Sequence, residues 1–250
     1  MPVPADPNSA VWSALGWDGN NSLVSADLHF ARIRRHAEIL GIDVPEDLSD
    51  IVHSKLGDME HPGEPNDSPD QSEFLLIVEV DKEGQIRMEP LTIQKWPNRS
   101  LSAISLAAPK WEQPVRGTKH GDWEPHRQAR KIAIDNGADI ALLFEDEVLI
   151  DGDRCAPLLL DSDGVAYHPR SSDGALDSIT VQSIKPGLEG AGIPVRTAKI
   201  TLSLILRASE MIVCGSGMGI RAIGTIDGRK IGRPRGPLFT AARNSWMEVI

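Results

Sequence analysis

Residues 207–232 constrain the fold more than any other part of the chain. They contain the end of a predicted helix, a short apolar strand at 211–214, the run Gly-Ser-Gly-Met-Gly, and a second strand at 220–226. Glycines permit a tight turn that presents backbone N–H groups, with the hydroxyl of Ser216 beside them. Such a turn suits a phosphate, and the same pattern is also compatible with an ordinary loop between two strands.

Composition excludes several classes of protein. A chain of 250 residues that is 40% hydrophobic can form one large domain or two smaller ones. The net charge of −10 argues against a nucleic-acid partner, because such proteins usually present a basic face. Cys155 and Cys214 are too few for a disulfide framework and lie in no metal-binding spacing, so reduced thiols and a cytoplasmic location are expected. We expect neither a signal peptide nor a membrane segment, since no apolar run approaches about 18 residues.

The spacing of apolar residues and breakers predicts a mixed α/β protein of two domains. The first domain covers residues 1–108, with a loose arm at 1–10, and a proline-containing linker follows at 109–116. The second domain covers residues 117–250. The predicted strands lie at 11–15, 74–80, 85–90, 100–107, 140–144, 148–150, 157–160, 165–167, 211–214 and 220–226. The predicted helices lie at 27–40, 46–56, 124–136, 178–189 and 201–208.

Lys119 is the candidate nucleophile, just before a predicted helix in a segment otherwise poor in charge. A lysine against an apolar wall has a lowered pKa and can attack a carbonyl to form a Schiff base. A solvated surface lysine is the alternative interpretation. The order of motifs along the chain favours the first interpretation. These motifs are HFARI at 29–33, KH at 119–120, ID at 150–151, SIT at 178–180, and SEM followed by CGS within 209–216.

This ordered series resembles the class IV aminotransferase family, the fold-type IV pyridoxal-phosphate enzymes, over roughly residues 11–240. That family includes branched-chain and D-amino-acid aminotransferases and aminodeoxychorismate lyases. The resemblance implies a two-domain α/β architecture with the cofactor, pyridoxal 5'-phosphate, in the cleft between the domains. It also implies a homodimer that acts on a small amino acid or an amino-chorismate-like molecule.

The resemblance further implies a role for each matched residue. Lys119 would hold pyridoxal phosphate covalently and move a proton during the reaction. Asp151 would pair with the pyridine nitrogen, at a position where the family has glutamate. The phosphate would be held by four residues: Arg32, Ile179, Thr180 and Ser216.

Three functions stay open at this point. Transamination of a small amino acid is the first choice, and β-elimination on an amino-chorismate-like substrate is the second, favoured by the pair Lys119-His120. A non-catalytic binding module is the third, because Asp151, Ala156 and Val181 replace residues that the family usually carries. Asp151 is also compatible with a simple turn. Candidates for substrate contact are Arg99, Arg221 and Trp123, with a surface location as the alternative for both arginines.

Overall fold

The smaller of two β-sheets is antiparallel and forms the N-terminal part of the molecule. The structure is a computed structural model that describes residues 6–250. The sheet has the order β1-β2-β3, with β1 at Ala10–Trp17, β2 at Phe74–Asp81 and β3 at Ile86–Thr92. Residues 7–9 form a short 3₁₀ turn that leads into β1, so this stretch is not a loose arm. The rest of the predicted arm, residues 1–5, lies outside the described residues.

Two helices cover one face of this small sheet. They are α1 at Ala26–Leu40 and α2 at Leu48–Leu56. The side chains of β2 alternate between buried and half-buried, and its buried side chains pack against Ile33 of α1 and Val52 of α2. The first helix begins after Ser25 rather than at Asp27, and it ends at Gly41, whose φ of +69° favours glycine.

The larger sheet has ten strands among the described residues, and helices pack on its faces. Its order is β10-β6-β5-β4-β12-β11-β7-β8-β9, with β13 beside β12. The strands are β4 (Leu101–Ala107), β5 (Ile140–Glu145), β6 (Val148–Gly152), β7 (Ala156–Leu160), β8 (Ala166–Pro169), β9 (Val195–Ala198), β10 (Ile200–Thr201), β11 (Glu210–Gly215), β12 (Gly219–Ile226) and β13 (Arg229–Lys230). The helices are α3 (Glu124–Asp135), α4 (Ile179–Gly190), α5 (Leu202–Arg207) and α6 (Pro237–Met247).

The pairing of strand β4 indicates where the boundary between the two domains lies. It pairs in parallel with both β5 and β12, and therefore belongs to the larger sheet. The division at residues 109–116 stays a prediction, and this pairing favours a boundary between β3 and β4 instead. An apolar strand does not reveal from its own sequence which sheet it will join, because its partners lie far along the chain.

The glycine run connects β11 to β12 and presses against the small sheet. A Cβ on Gly217 would come within 2.5 Å of Leu75 Cδ1. Gly219 has φ +63°, and a Cβ there would lie 2.4 Å from the carbonyl oxygen of Asp70. A side chain at Gly219 would collide with backbone in a conformation that favours glycine, and a side chain at Gly217 would require Leu75 to shift, so the turn can pack closely against β2 and the segment before it.

The buried carboxylate of Glu210 supports α6, a helix that was not expected from the sequence. Its oxygens accept hydrogen bonds from Leu238 N at 2.9 Å and Phe239 N at 2.8 Å, in the first turn of α6. We expect Glu210→Ala to lower the free energy of unfolding by about 1–3 kcal/mol, because both N–H groups lose their acceptor. Urea unfolding would measure this loss. Glu189→Ala, at an exposed position of α4, is the control, and equal losses in the two variants would contradict the assignment.

Candidate active site

A cavity of about 290 Å³ lies between the two sheets. Strands β1, β2 and β3 contribute one wall, and β6, β7, β11 and the glycine turn contribute the other. Residues far apart in the sequence meet here. The predicted site residues that line it are Arg32, Lys119, Trp123, Asp151, Ile179, Thr180 and Ser216.

Lys119 is held by its backbone and sandwiched by two tryptophans. Its N–H donates to His36 Nδ1 at 2.9 Å, and its carbonyl accepts from Trp12 N at 3.1 Å. The side-chain Nζ lies 3.6 Å from the ring centroid of Trp12 and 4.3 Å from that of Trp123. Within residues 6–250, Nζ makes no hydrogen bond or ion pair. The amine is therefore positioned in the cavity and free to react.

The pKa of Lys119 is well below its ordinary value. Burial is the main cause, and the positive charge of Arg32 adds to it. Asp151 and the two aromatic faces act in the opposite direction, because each favours a cation. Burial and Arg32 prevail, so the neutral, nucleophilic amine is more populated at neutral pH than it is for a solvated lysine.

Arg32, which lines the cavity, has one N–H donor that makes no hydrogen bond. Its side chain is buried, with Nη1 donating to Asp177 O at 3.1 Å and Nη2 to Ser13 Oγ at 2.6 Å. Its Nε is buried and has no hydrogen-bond partner among the residues described. Burial lowers the pKa of Arg32 to about 10, so the group stays charged at neutral pH. An anion is the natural acceptor for this donor.

A buried relay fixes the orientation of Arg32. Ser13 Oγ accepts from the guanidinium and forms a hydrogen bond with His29 Nδ1 at 2.7 Å. Burial and the charges of Arg32 and Lys119 lower the pKa of His29, which keeps the ring neutral. Neither Ser13 nor the relay was expected from the sequence, since a serine in an apolar strand carries no distinguishing signal.

The start of α4 and the glycine turn provide further anion-binding groups. Ser178 caps the helix, and its Oγ accepts from Val181 N at 3.3 Å. Ile179 and Thr180 follow in the first turn, and both line the cavity. The N–H groups of a helix N-terminus and the positive end of its dipole favour a phosphate. Ser216 contributes a hydroxyl from the turn on the same cavity.

Asp151 lies within strand β6 rather than in a turn. Its Oδ1 accepts from Gly152 N at 2.9 Å and its Oδ2 from Leu176 N at 3.4 Å. Burial raises the pKa of Asp151 to about 7, although these hydrogen bonds and Lys119 act against the increase. The carboxyl group can therefore be protonated or ionised close to neutral pH, and a cationic ring nitrogen bound beside it would favour the ionised form.

Two predicted substrate residues lie elsewhere. Arg99 forms an ion pair with Asp139 at 2.6 Å, and Arg221 forms one with Asp70 at 2.8 Å. Both line a separate cavity of about 420 Å³. The geometry therefore does not support a substrate role for either arginine in the first cavity. The guanidinium groups that do line it, beside Arg32, are Arg130 and Arg154.

Two absences apply to the part of the chain that the structure describes. No group of three or more His, Cys, Asp or Glu side chains is arranged to hold a metal ion there. None of its helices is long and apolar enough to cross a membrane.

Comparison with known proteins places the chain in a family. The family model for amino-transferase class IV matches residues 13–226, and the chain belongs to this family. Its members are pyridoxal-phosphate-dependent aminotransferases or lyases. The "Probable branched-chain-amino-acid aminotransferase" of Rickettsia bellii is 23% identical over 219 residues, which cover 83% of this chain and 75% of the relative.

Solved structures show the same fold. The branched-chain aminotransferase of Thermoproteus uzoniensis, crystallised with norvaline, superposes with a TM-score of 0.78 at 20% identity, over 96% of this chain and 84% of that one. A protein described as a 4-amino-4-deoxychorismate lyase superposes with a TM-score of 0.75 at 23% identity, over 96% of this chain and 90% of that one. The expected mixed α/β, fold-type IV architecture is thereby confirmed.

Proposed function

We propose that this protein is a pyridoxal-phosphate-dependent aminotransferase that acts on a small amino acid. One observation carries the proposal: an amine with a lowered pKa, a buried cation with an unused donor and a carboxyl group with a pKa near 7 line a single cavity. These are the groups of Lys119, Arg32 and Asp151. They meet three needs of the cofactor, namely a covalent anchor, a phosphate partner and a partner for the ring nitrogen.

Each residue of the site would have a distinct role in binding the cofactor or in moving a proton. Arg32, Thr180 and Ser216 would hold the phosphate, together with the backbone N–H groups at the start of α4. Asp151 would face the ring nitrogen and balance its charge. The Lys119 amine would anchor the cofactor and then carry a proton as a general acid and base. When bound, pyridoxal phosphate supplies an electron sink for charge that develops on the substrate.

The elimination reaction and the non-catalytic module are the competing functions. Ala156 lines the cavity without a polar side chain, which favours the non-catalytic module, whereas the charge retained at Asp151 favours an enzyme. Amino donors tested with pyruvate or 2-oxoglutarate as acceptor would reveal transamination. Release of 4-aminobenzoate from aminodeoxychorismate would reveal the lyase. A homodimer, a cytoplasmic location and the lack of nucleic-acid or membrane partners stay predictions.

Chemical trapping tests the proposal directly. The purified protein would be incubated with pyridoxal phosphate, reduced with borohydride, digested and analysed by mass spectrometry. We expect the reduced cofactor on Lys119, because its neutral amine reacts faster than the protonated amines of solvated lysines. Label spread over exposed lysines such as Lys110, with none on Lys119, would contradict the proposal.

Replacing Arg32 tests the phosphate site. We expect Arg32→Gln to weaken pyridoxal-phosphate binding about 10- to 100-fold, because hydrogen bonds to a charged group contribute roughly 1.5–3 kcal/mol. Fluorescence titration with the cofactor would measure the dissociation constant. Arg34→Gln on the same helix is the control, since Arg34 donates to Glu46 O and does not line the cavity. Pyridoxal without its phosphate should bind the wild type and Arg32→Gln with similar affinity.

A further inference from the structure

His36 connects the loop that carries Lys119 to the segment that leads into α4. It lies one helical turn after Arg32 on α1, and residues four apart lie on the same side of a helix. Its Nδ1 accepts from the backbone N–H of Lys119 at 2.9 Å, and its Nε2 lies 3.1 Å from Asp177 Oδ1. Asp177 directly precedes Ser178, which caps α4. One buried imidazole ring therefore contacts two segments that are far apart in the sequence.

The contact with Lys119 determines where the imidazole of His36 carries its proton. A backbone N–H only donates, so Nδ1 must offer a lone pair, and the neutral ring carries its proton on Nε2. The carboxylate of Asp177 beside Nε2 favours the same tautomer. Burial lowers the pKa of His36, although Asp177 acts in the opposite direction, so the ring is neutral at neutral pH. His36 therefore accepts from Lys119 with one nitrogen and faces Asp177 with the other.

Asp177 is itself fixed against α1. Its carboxylate forms an ion pair with Arg35, and its carbonyl oxygen accepts from Arg32 Nη1 at 3.1 Å. Burial acts to raise the pKa of this carboxyl group, but the contacts with His36, Arg35 and Arg32 prevail and lower it. The side chain is therefore ionised at neutral pH. Three side chains of α1 thus hold the segment that directly precedes α4.

Strand β1 holds the loop of Lys119 from the other side. Trp12 N donates to the carbonyl oxygen of Lys119 at 3.1 Å, and Trp12 Nε1 donates to that of His120 at 3.0 Å. These two bonds hold carbonyl groups, whereas His36 binds the N–H of Lys119. Without the imidazole, the loop would lose its bond to α1 and would be held through its carbonyl groups alone. A displacement of about 1 Å in a reacting group can lower a rate roughly 100-fold.

We propose that His36 is a positioning residue that keeps the Lys119 amine at a fixed distance from the phosphate-binding start of α4. Pyridoxal phosphate has a rigid ring between its aldehyde and its phosphate, so the covalent anchor and the phosphate site must keep one separation. His36 maintains this separation because it contacts Lys119 and Asp177 at once. The inference rests on the proposed function, which assigns the phosphate to the start of α4 and the aldehyde to Lys119.

Two substitutions at His36 test this role. Asparagine places its Oδ1 where histidine has Nδ1, whereas glutamine places its amide where histidine has Nε2. We expect His36→Asn to capture pyridoxal phosphate on Lys119 at nearly the wild-type rate, and His36→Gln to capture it at least about 10-fold more slowly. Both variants should bind pyridoxamine phosphate, which has no aldehyde to react with lysine, with an affinity similar to that of the wild type, because Arg32 and α4 are unchanged.

The control for these rates is His53→Gln, because His53 is exposed on α2 and does not line the cavity. It should match the wild type in both measurements. Equal capture rates for His36→Asn and His36→Gln would overturn the inference. So would a loss of pyridoxamine-phosphate binding in His36→Gln as large as its loss of capture rate, because the defect would then lie in the phosphate site.

Measurements without the cofactor separate this inference from the proposed function. Nitrogen NMR of the wild type should show His36 with a bare Nδ1 and a protonated Nε2. Amide hydrogen exchange at Lys119 should be slow in the wild type and in His36→Asn and faster in His36→Gln. A protonated Nδ1, or equal exchange in the three proteins, would refute the inference alone. The expected tautomer and exchange rates in a wild type that pyridoxal phosphate never labels would refute the proposed function alone.

Discussion

Lys119→Ala is expected to eliminate covalent capture of pyridoxal phosphate and to lower the catalytic rate by at least about 1000-fold. The amine of Lys119 combines two tasks, since it anchors the cofactor and moves a proton. No other lysine lines the cavity of about 290 Å³ among the residues that the structure describes. A replacement nucleophile is therefore absent from the site. Absorbance in the visible region after addition of the cofactor and steady-state rates would measure both effects.

The control for this experiment is Lys110→Ala, at an exposed position. It should retain wild-type labelling and rate. Lys119→Ala should still bind the cofactor without a covalent bond, because Arg32, Thr180 and Ser216 are unchanged. Full activity of Lys119→Ala, or equal loss in the two variants, would mean that Lys119 is not the anchor.

Asp151→Asn is expected to change activity and stability in opposite directions. Activity should decrease about 100- to 1000-fold, because a neutral amide cannot balance a protonated ring nitrogen. Stability without the cofactor should increase above pH 7. Burial raises the pKa of Asp151 to about 7 from its ordinary value of 3.8, so the folded protein binds this proton more tightly than the unfolded chain does.

The pH dependence follows from the sign of this shift. Below pH 4 the carboxyl group is protonated in both states, and the wild type and Asp151→Asn should be similarly stable. Between pH 4 and pH 7 the unfolded chain loses the proton first, so the wild type loses stability, up to about 4 kcal/mol in total. The stabilising effect of the substitution should therefore increase over this range and stay constant above it.

Thermal unfolding at pH 4 and pH 8, without cofactor, would measure this difference. Asp146→Asn is the matched control, because Asp146 is exposed in the turn that precedes β6 and its φ of +47° also suits asparagine. The difference in unfolding temperature between Asp146→Asn and the wild type should be the same at pH 4 and pH 8. Asp151→Glu should recover part of the activity, since glutamate keeps the charge. A pH-independent effect of Asp151→Asn would show that Asp151 has an ordinary pKa in the folded protein.

Most local elements were predictable because they depend on neighbours in the sequence. The helix at Glu124–Asp135 has proline in its first turn, and the hairpin of β2 and β3 has a turn at Gly84 with φ +78°. The order of motifs along the chain also predicts Lys119, Arg32 and Asp151 as site residues. Their common location in one cavity depends on the pairing of strands that are far apart along the chain.

Other features could not be read from the sequence. The sequence indicated Arg99 and Arg221 as candidates and gave no sign of Arg130 and Arg154, which line the cavity, because an arginine's surroundings depend on the tertiary structure. Arg99 pairs with Asp139 and Arg221 with Asp70, whereas Arg130 and Arg154 both donate to Gln94. Arg154 also lies 3.9 Å from Asp153. The sequence also did not predict which sheet β4 joins, because its partners β5 and β12 come later in the chain.

The amino-acid sequence alone determined the family, the alternation of strands and helices and the chemical types available to the site. These properties follow from local spacing, from turn-forming residues and from an ordered set of motifs. Only the tertiary structure decided which of these groups share a cavity, which are buried and which are paired. Burial and pairing set the pKa of Lys119 and Asp151 and leave Arg32 Nε without a hydrogen-bond partner, and both depend on contacts between distant parts of the chain.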